Sequence, residues 1–206
     1  MGFGKRRLSP AISFGFTAIT FLVLVGCAHL GVPSVYKRSY QLTNCSITVS
    51  EWVKAGTDDE GEYAEVKMNY FNGRSCECRF EIWGRVVDSW VTDLDHDGNP
   101  DVVVVSRSFG TGVYGELYVV RKVAKGLAVV KGPELAAGMA RGYEGHDEYK
   151  QHGDRRIERT FPIRDADERY SGGGRRIIYA FENNKLDPVM SQDVRGLSLR
   201  WLPSRN

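Results

Sequence analysis

Asp93, Asp95, Asp97 and Asp101 stand in the segment Asp93-Leu-Asp-His-Asp-Gly-Asn-Pro-Asp101. Alternate carboxylates converge on one centre when a loop curls, and Gly98 supplies the positive φ that such a curl commonly requires. A set of hard oxygen ligands suits Ca²⁺. The segment lacks the terminal bidentate glutamate of a complete EF-hand and occurs once. A metal-free polar turn, its aspartates bonded to backbone amides, is therefore the competing reading, and both stay open. Just downstream, Thr111-Gly112-Val113-Tyr114 tips a glycine-rich stretch that runs from Ser108 to Gly115 between two apolar strands. A hydroxyl, a glycine, a spacer and a phenol offer hydrogen bonds and aromatic area, which is the chemistry of recognition rather than of bond making. The alternative is a plain connection whose tyrosine folds back onto the sheet.

A third dense stretch is Gly142-Tyr143-Glu144-Gly145-His146-Asp147-Glu148-Tyr149. His146 beside Asp147 invites an acid–base reading. Adjacent strand residues point to opposite faces, however, and neither a G-x-S-x-G nucleophile motif nor an H-E-x-x-H zinc helix accompanies the pair. His146 is read as a structural histidine bonded to backbone; the alternative is a second contact loop, with Tyr143 and His146 among the binding residues. No enzyme is expected.

The elements that must position these groups are strands. Cys45 to Trp52 and Ala64 to Phe71 alternate, with Ile47 and Val49, then Val66, Met68 and Tyr70, each on one side. Phe80 to Trp83 and Val86 to Trp90 flank Gly84, and Val102 to Val105 is a continuous β-branched run suited to a strand buried on both faces. Leu117 to Val120, Leu127 to Val130, Arg156 to Phe161 and Arg176 to Phe181 follow, separated by turn residues such as Asn72-Gly73 and Asn183-Asn184. Eight or more short strands at this spacing predict an all-β fold, an antiparallel β-sandwich or barrel. One short helix at most is expected, over Pro133 to Met139 with its proline at the start.

Residues 1–26 read as an export signal: Lys5, Arg6 and Arg7, then an apolar stretch from Ala11 to Val25 that is short for a spanning helix. Residues 27–40 form a tether, and 41–206 the folded domain, long enough for a single core. The whole chain carries +2; the leader takes three basic and no acidic residues with it, leaving 25 against 26. A mature domain near −1 argues against a nucleic-acid or anionic-membrane binder. The arginines from Arg155 to Arg176 interleave with Asp154, Glu158, Asp165, Asp167 and Glu168 and predict a solvated, ion-paired face. Of the remaining cysteines, Cys76 and Cys78 are too close in sequence to bridge without strain, so Cys45 is expected to pair with Cys76 or Cys78. Three thiolates without a nearby histidine match zinc poorly.

Three resemblances add to this reading. Leu24-Val25-Gly26-Cys27 resembles a bacterial lipoprotein processing site, which implies a lipidated Cys27 and a membrane anchor; Ala28 after it resembles the outer-membrane sorting pattern of Gram-negative lipoproteins. The Asp93–Asp101 segment resembles the calcium loops of integrin-type propeller repeats and dockerins. The order DLDHDGNPDVVVVSRS, GTGVYGELYV, GYEGHDEY, IERTFPI, SGGGRRIIYAF resembles the periplasmic inhibitors of invertebrate-type (I-type) lysozyme, over about Ser46 to Phe181. Lysozyme inhibitors of several kinds share a Ser-Gly-(x)-x-Tyr loop that enters the lysozyme cleft; here Thr111, Gly112 and Tyr114 match it, with threonine for serine. The resemblance implies a β-sandwich that can form a homodimer, a lysozyme partner, and a periplasmic place, here lipid-anchored. No cofactor beyond a calcium ion is expected. The other function carried forward is a calcium-stabilised adhesion or carbohydrate-binding envelope module.

Overall fold

The run Val102-Val-Val-Val105 has no polar side, so a strand built from it needs apolar partners on both faces. The computed structural model describes residues 36–53, 62–164 and 170–196 and supplies those partners. β5 (Arg85–Thr92), β6 (Asp101–Arg107), β7 (Gly115–Val123) and β8 (Gly126–Lys131) form one antiparallel sheet in sequence order. Val102 and Val104 of β6, with Tyr118 and Val120 of β7, pack against Ile47, Val49, Val66 and Met68. Val103, Val105, Leu117 and Val119 face the other way, against Ile157, Phe161, Ile177 and Phe181. Full burial of each such side chain is worth about 1.5–3 kcal/mol.

The first covering sheet is ordered β1 (Lys37–Gln41), β2 (Cys45–Val53), β3 (Glu62–Tyr70), β4 (Ser75–Ile82). The second is β12 (Lys185–Arg195), β11 (Tyr170–Glu182), β10 (Arg156–Arg164), β9 (Glu148–His152). The described residues thus form an all-β, sandwich-like stack of three antiparallel four-stranded sheets, the middle one covered on both sides. The third layer is what the count of strands did not convey.

The domain begins earlier than residue 41. β1 pairs with β2 from Lys37↔Ser50 to Gln41↔Ser46, so the end of the expected tether is an edge strand. Residues 1–35, with the expected leader and Cys27, lie outside the described residues. Pro133 to Met139 is not a helix. It holds one turn, in which Met139 and Ala140 donate to the Ala136 carbonyl. The Arg175 guanidinium gathers the carbonyls of Gly138, Met139 and Arg141 at 3.2, 2.7 and 3.2 Å, which satisfies them without a helical ladder.

The expected disulfide is absent: Cys45, Cys76 and Cys78 are free thiols. Cys45 lies in β2 and the other two in β4, with β3 between them. Two strand spacings alone put at least about 9–10 Å between the Cα atoms, beyond the roughly 7 Å a bridge spans. All three belong to the same apolar cluster, and burial raises each pKa, that of Cys78 to about 11. Protonated thiols oxidise slowly. Alkylation of the unfolded domain without reductant is expected to label Cys45, Cys76 and Cys78 fully, with slow labelling in the native state; a cross-linked peptide in the digest would contradict this.

Candidate functional site

The β6–β7 connection is closed at its neck and open at its tip. Ser108 donates its amide to the Tyr114 carbonyl at 2.8 Å, and its hydroxyl accepts from the Tyr114 amide at 2.9 Å. Between these bonds Phe109, Gly110 and Thr111 are exposed. Val113 sits at φ 45°. A β-branched residue there is a true backbone outlier, costing of order 1–3 kcal/mol, and such strain persists only where surrounding structure over-determines it.

That surrounding structure is the 142–147 segment. The His146 amide donates to the carbonyls of both Gly112 and Val113 at 2.9 Å. The clamp requires glycine at 145: φ is 90°, and a Cβ would lie 1.8 Å from the Gly112 carbonyl oxygen. Asp147 is fully buried. Its carboxylate accepts from the Gly115 amide at 2.8 Å, from the Tyr143 hydroxyl at 2.5 Å and from Arg159 Nε at 2.6 Å. Its carbonyl accepts from Arg107 Nη2 at 2.7 Å. Arg159 Nη2 also donates to the Tyr143 hydroxyl at 2.9 Å. A single carboxylate therefore fixes the start of β7, the second loop and β10 together.

The residues expected in two contact loops thus divide in role. Thr111 and Tyr114 face outward, with Tyr114 38% exposed. The Tyr114 ring lies over Gly112, where a Cβ would meet it at 2.4 Å, so the glycine of the signature makes room for the tyrosine. Tyr143 commits its hydroxyl to the Asp147–Arg159 network, and burial raises its pKa. His146 is half-buried at φ 61°; burial is the main cause of its lowered pKa, with Asp147 opposing. Tyr143 braces the loop through Asp147, and the His146 backbone amide does so directly.

Two residues of this surface went unmarked in the sequence. Trp83, 57% exposed, stacks on Tyr114 with centroids 6.1 Å apart and planes within 10°, while Phe109 is 69% exposed beneath the Arg85 guanidinium. Large aromatics left open beside a rigid loop are the usual anchors of a protein interface. Trp83 ends an apolar run and Phe109 precedes the signature, but only the approach of the β4–β5 turn to Arg107 and Ser108 joins them; a Cβ on Gly84 would lie 1.9 Å from the Arg107 carbonyl oxygen.

The arginines in the second half are not all solvated. Arg159 and Arg175 are buried, and their partners are Asp147 and Asp193 rather than the acids interleaved with them. Strand alternation turns Arg159 inward while Arg156 stays outside.

The aspartate loop lies at the other end of β6, about 20 Å from the signature loop. Asp93, Asp95 and Asp101 bring one carboxylate oxygen each within 4.8 Å of one another. The carboxylates also serve the turn: Asp93 accepts from Gly98 N, Asp95 from Asp97 N, Asp97 from Asn99 N and Asp101 from Leu94 N, at 2.7–3.2 Å. The Arg121 guanidinium bonds to Asp95 and reaches Asp97 at 3.4 Å. Asp93 Oδ1 is buried without a hydrogen-bond partner. The donor chemistry thus fits a hard cation, while amides and Arg121 already meet much of its demand.

Burial, reinforced by Asp95 and Asp97, raises the Asp101 pKa from 3.8 to about 6. A carboxyl whose folded pKa is raised favours the folded state when protonated. Its contribution, of order 2–3 kcal/mol, is present below about pH 4 and lost as pH rises through about 6. Asp101→Asn is expected to flatten the stability profile in that window. Urea melts across the range check it, and an unchanged slope refutes it.

Comparison with protein-family models, curated proteins and solved structures gives no match for this chain.

Proposed function

We propose that this protein is a lipid-anchored envelope inhibitor of I-type lysozyme that inserts the Thr111–Tyr114 loop into the lysozyme cleft. The observation that carries the reading is the strained loop, held at its neck by Ser108 and from behind by His146 and Asp147, with Thr111 and Tyr114 facing outward. A glycosidase cleft of this class holds two carboxyls, one protonated and one ionised. Hydroxyls of Thr111 and Tyr114 donate to such groups, and charge-assisted bonds in a water-excluded cleft are the strong kind. Pre-bracing reduces the ordering entropy lost on docking. Trp83 and Phe109 add aromatic area beside the point of entry. The test is a panel: the mature domain inhibits invertebrate-type lysozyme well above chicken- and goose-type enzymes. Equal inhibition of all three, or of none, ends the reading.

The clustered carboxylates and the buried Asp93 Oδ1 favour a second reading, a calcium-stabilised adhesion or carbohydrate-binding module. It requires that chelation abolish ligand binding. On the inhibitor reading chelation at most softens a turn far from the loop. Thermal melts and binding, each with calcium and with a chelator, separate the two.

A further inference from the structure

Beside the signature loop opens a cleft of about 370 Å³. Its lining comes from the middle sheet (Glu116, Leu117, Lys131), from the β9–β12 sheet (Tyr149, Arg159, Tyr179) and from the connection between the two. The stacked rings of Trp83 and Tyr114 form one wall. We propose that this cleft binds a neutral pyranose saccharide of one or two rings.

Three properties select that class. The first is the wall. Two near-parallel aromatic rings, both partly open, line this wall, and the C–H face of a pyranose packs on an aromatic ring while its hydroxyls stay at the edge. The second is the rim. Glu116 and Lys131 form a 2.6 Å ion pair with the lysine largely exposed, and Glu134 is exposed nearby. A carboxylate accepts from a sugar hydroxyl and an ammonium donates to one, and neither needs the ligand to be charged. The third is the floor. Tyr149 already donates to the Gly115 carbonyl at 3.1 Å, and Arg159 is already paired with Asp147 at 2.6 Å.

The same floor disfavours charged ligands. Acids and bases in the lining balance, Glu116 and Glu134 against Lys131 and Arg159, so no surplus positive charge selects a phosphate or carboxylate. An aromatic cage for an organic cation needs open ring faces. Here the Arg159 guanidinium already covers those of Tyr143 and Tyr149, at 5.2 and 5.5 Å, and would repel a second cation. The volume falls at the lower end for small-ligand sites, which suits one or two rings rather than a long chain.

The inference does not depend on lysozyme inhibition. It uses the cleft side of the Trp83–Tyr114 wall and rim groups remote from Thr111. The mature domain is titrated with cellobiose, maltose and N,N′-diacetylchitobiose, following the Trp83 indole resonance by NMR. A saturable shift with a Kd of about 1 mM or tighter for at least one disaccharide is expected. Lys131→Ala and Glu134→Ala, both exposed and harmless to the core, should weaken it at least about fivefold and leave lysozyme inhibition intact. Thr111→Ala should do the reverse. No shift with any of the three at about 20 mM overturns the proposal, as does tighter binding of inorganic phosphate or choline. Rim variants that bind as wild type overturn the placement. Saccharide binding without inhibition of any lysozyme removes the inhibitor reading alone.

Discussion

Asp147→Asn is expected to lower the melting temperature by about 6–20 °C, from a loss of about 3–5 kcal/mol in a domain of this size. The substitution keeps the shape and removes the charge. Arg159, itself buried, then faces no carboxylate, and the three donors that converge on Asp147 meet an amide with one acceptor oxygen and an opposing N–H. Breaking a buried pair from one side costs more than the pair contributes, because the remaining charge stays desolvated. A double-mutant cycle with Arg159→Met checks the mechanism: the second change should cost much less once the first is made. The signature loop should loosen as well, because Gly115 loses its anchor, so amide exchange in 108–115 should rise beyond what global destabilisation explains. A melting temperature within about 2 °C of wild type would show that the carboxylate does not brace the fold.

On the proposed inhibitor reading, Tyr114→Ala is expected to weaken binding to I-type lysozyme by about 30- to 1000-fold, or roughly 2–4 kcal/mol, in the range of an interface hot spot. The ring offers both a hydroxyl donor and contact area, and Trp83 and Tyr143 hold it in place before docking. The free protein should lose only about 1 kcal/mol, the worth of those ring contacts, since the side chain is 38% exposed. Gly112→Ala tests the same point with the phenol present. The added Cβ would sit 2.4 Å from the ring, so the ring must move and affinity should fall although no contacting group is removed. Thr111→Ser keeps the hydroxyl and should bind at least as well. Titration calorimetry measures each, with thermal melts as control. Tyr114→Ala binding as tightly as wild type, or unfolding the domain, would make the ring a core element and not a key.

Nine of the described strands, the doubly buried β6 among them, were legible because their signals are local. Alternation at Ile47 and Val49, or at Val66 and Met68, reports one covered face, and four consecutive valines report two. The strands that were missed, β1, β9 and β12, are all edges of their sheets. An edge takes its register from its neighbour's hydrogen bonds and keeps one backbone side open, so its own sequence can be polar, as at Lys37–Gln41, or carry Pro188, as in β12.

By itself, then, the sequence determined an all-β chain, a rigidly flanked loop at Thr111–Tyr114 and a turn of converging aspartates, since each depends on residues adjacent along the chain. The tertiary structure alone decided the third layer, the separation of Cys45 from Cys76 and Cys78 by β3, and the pairing of Arg159 with Asp147 in place of its acidic sequence neighbours. It also decided that Trp83, Phe109 and Tyr114 share one surface. These depend on which sheet faces which. That choice is made by the summed burial of many side chains on a strand pair with two equivalent apolar faces, and no short window of sequence records it.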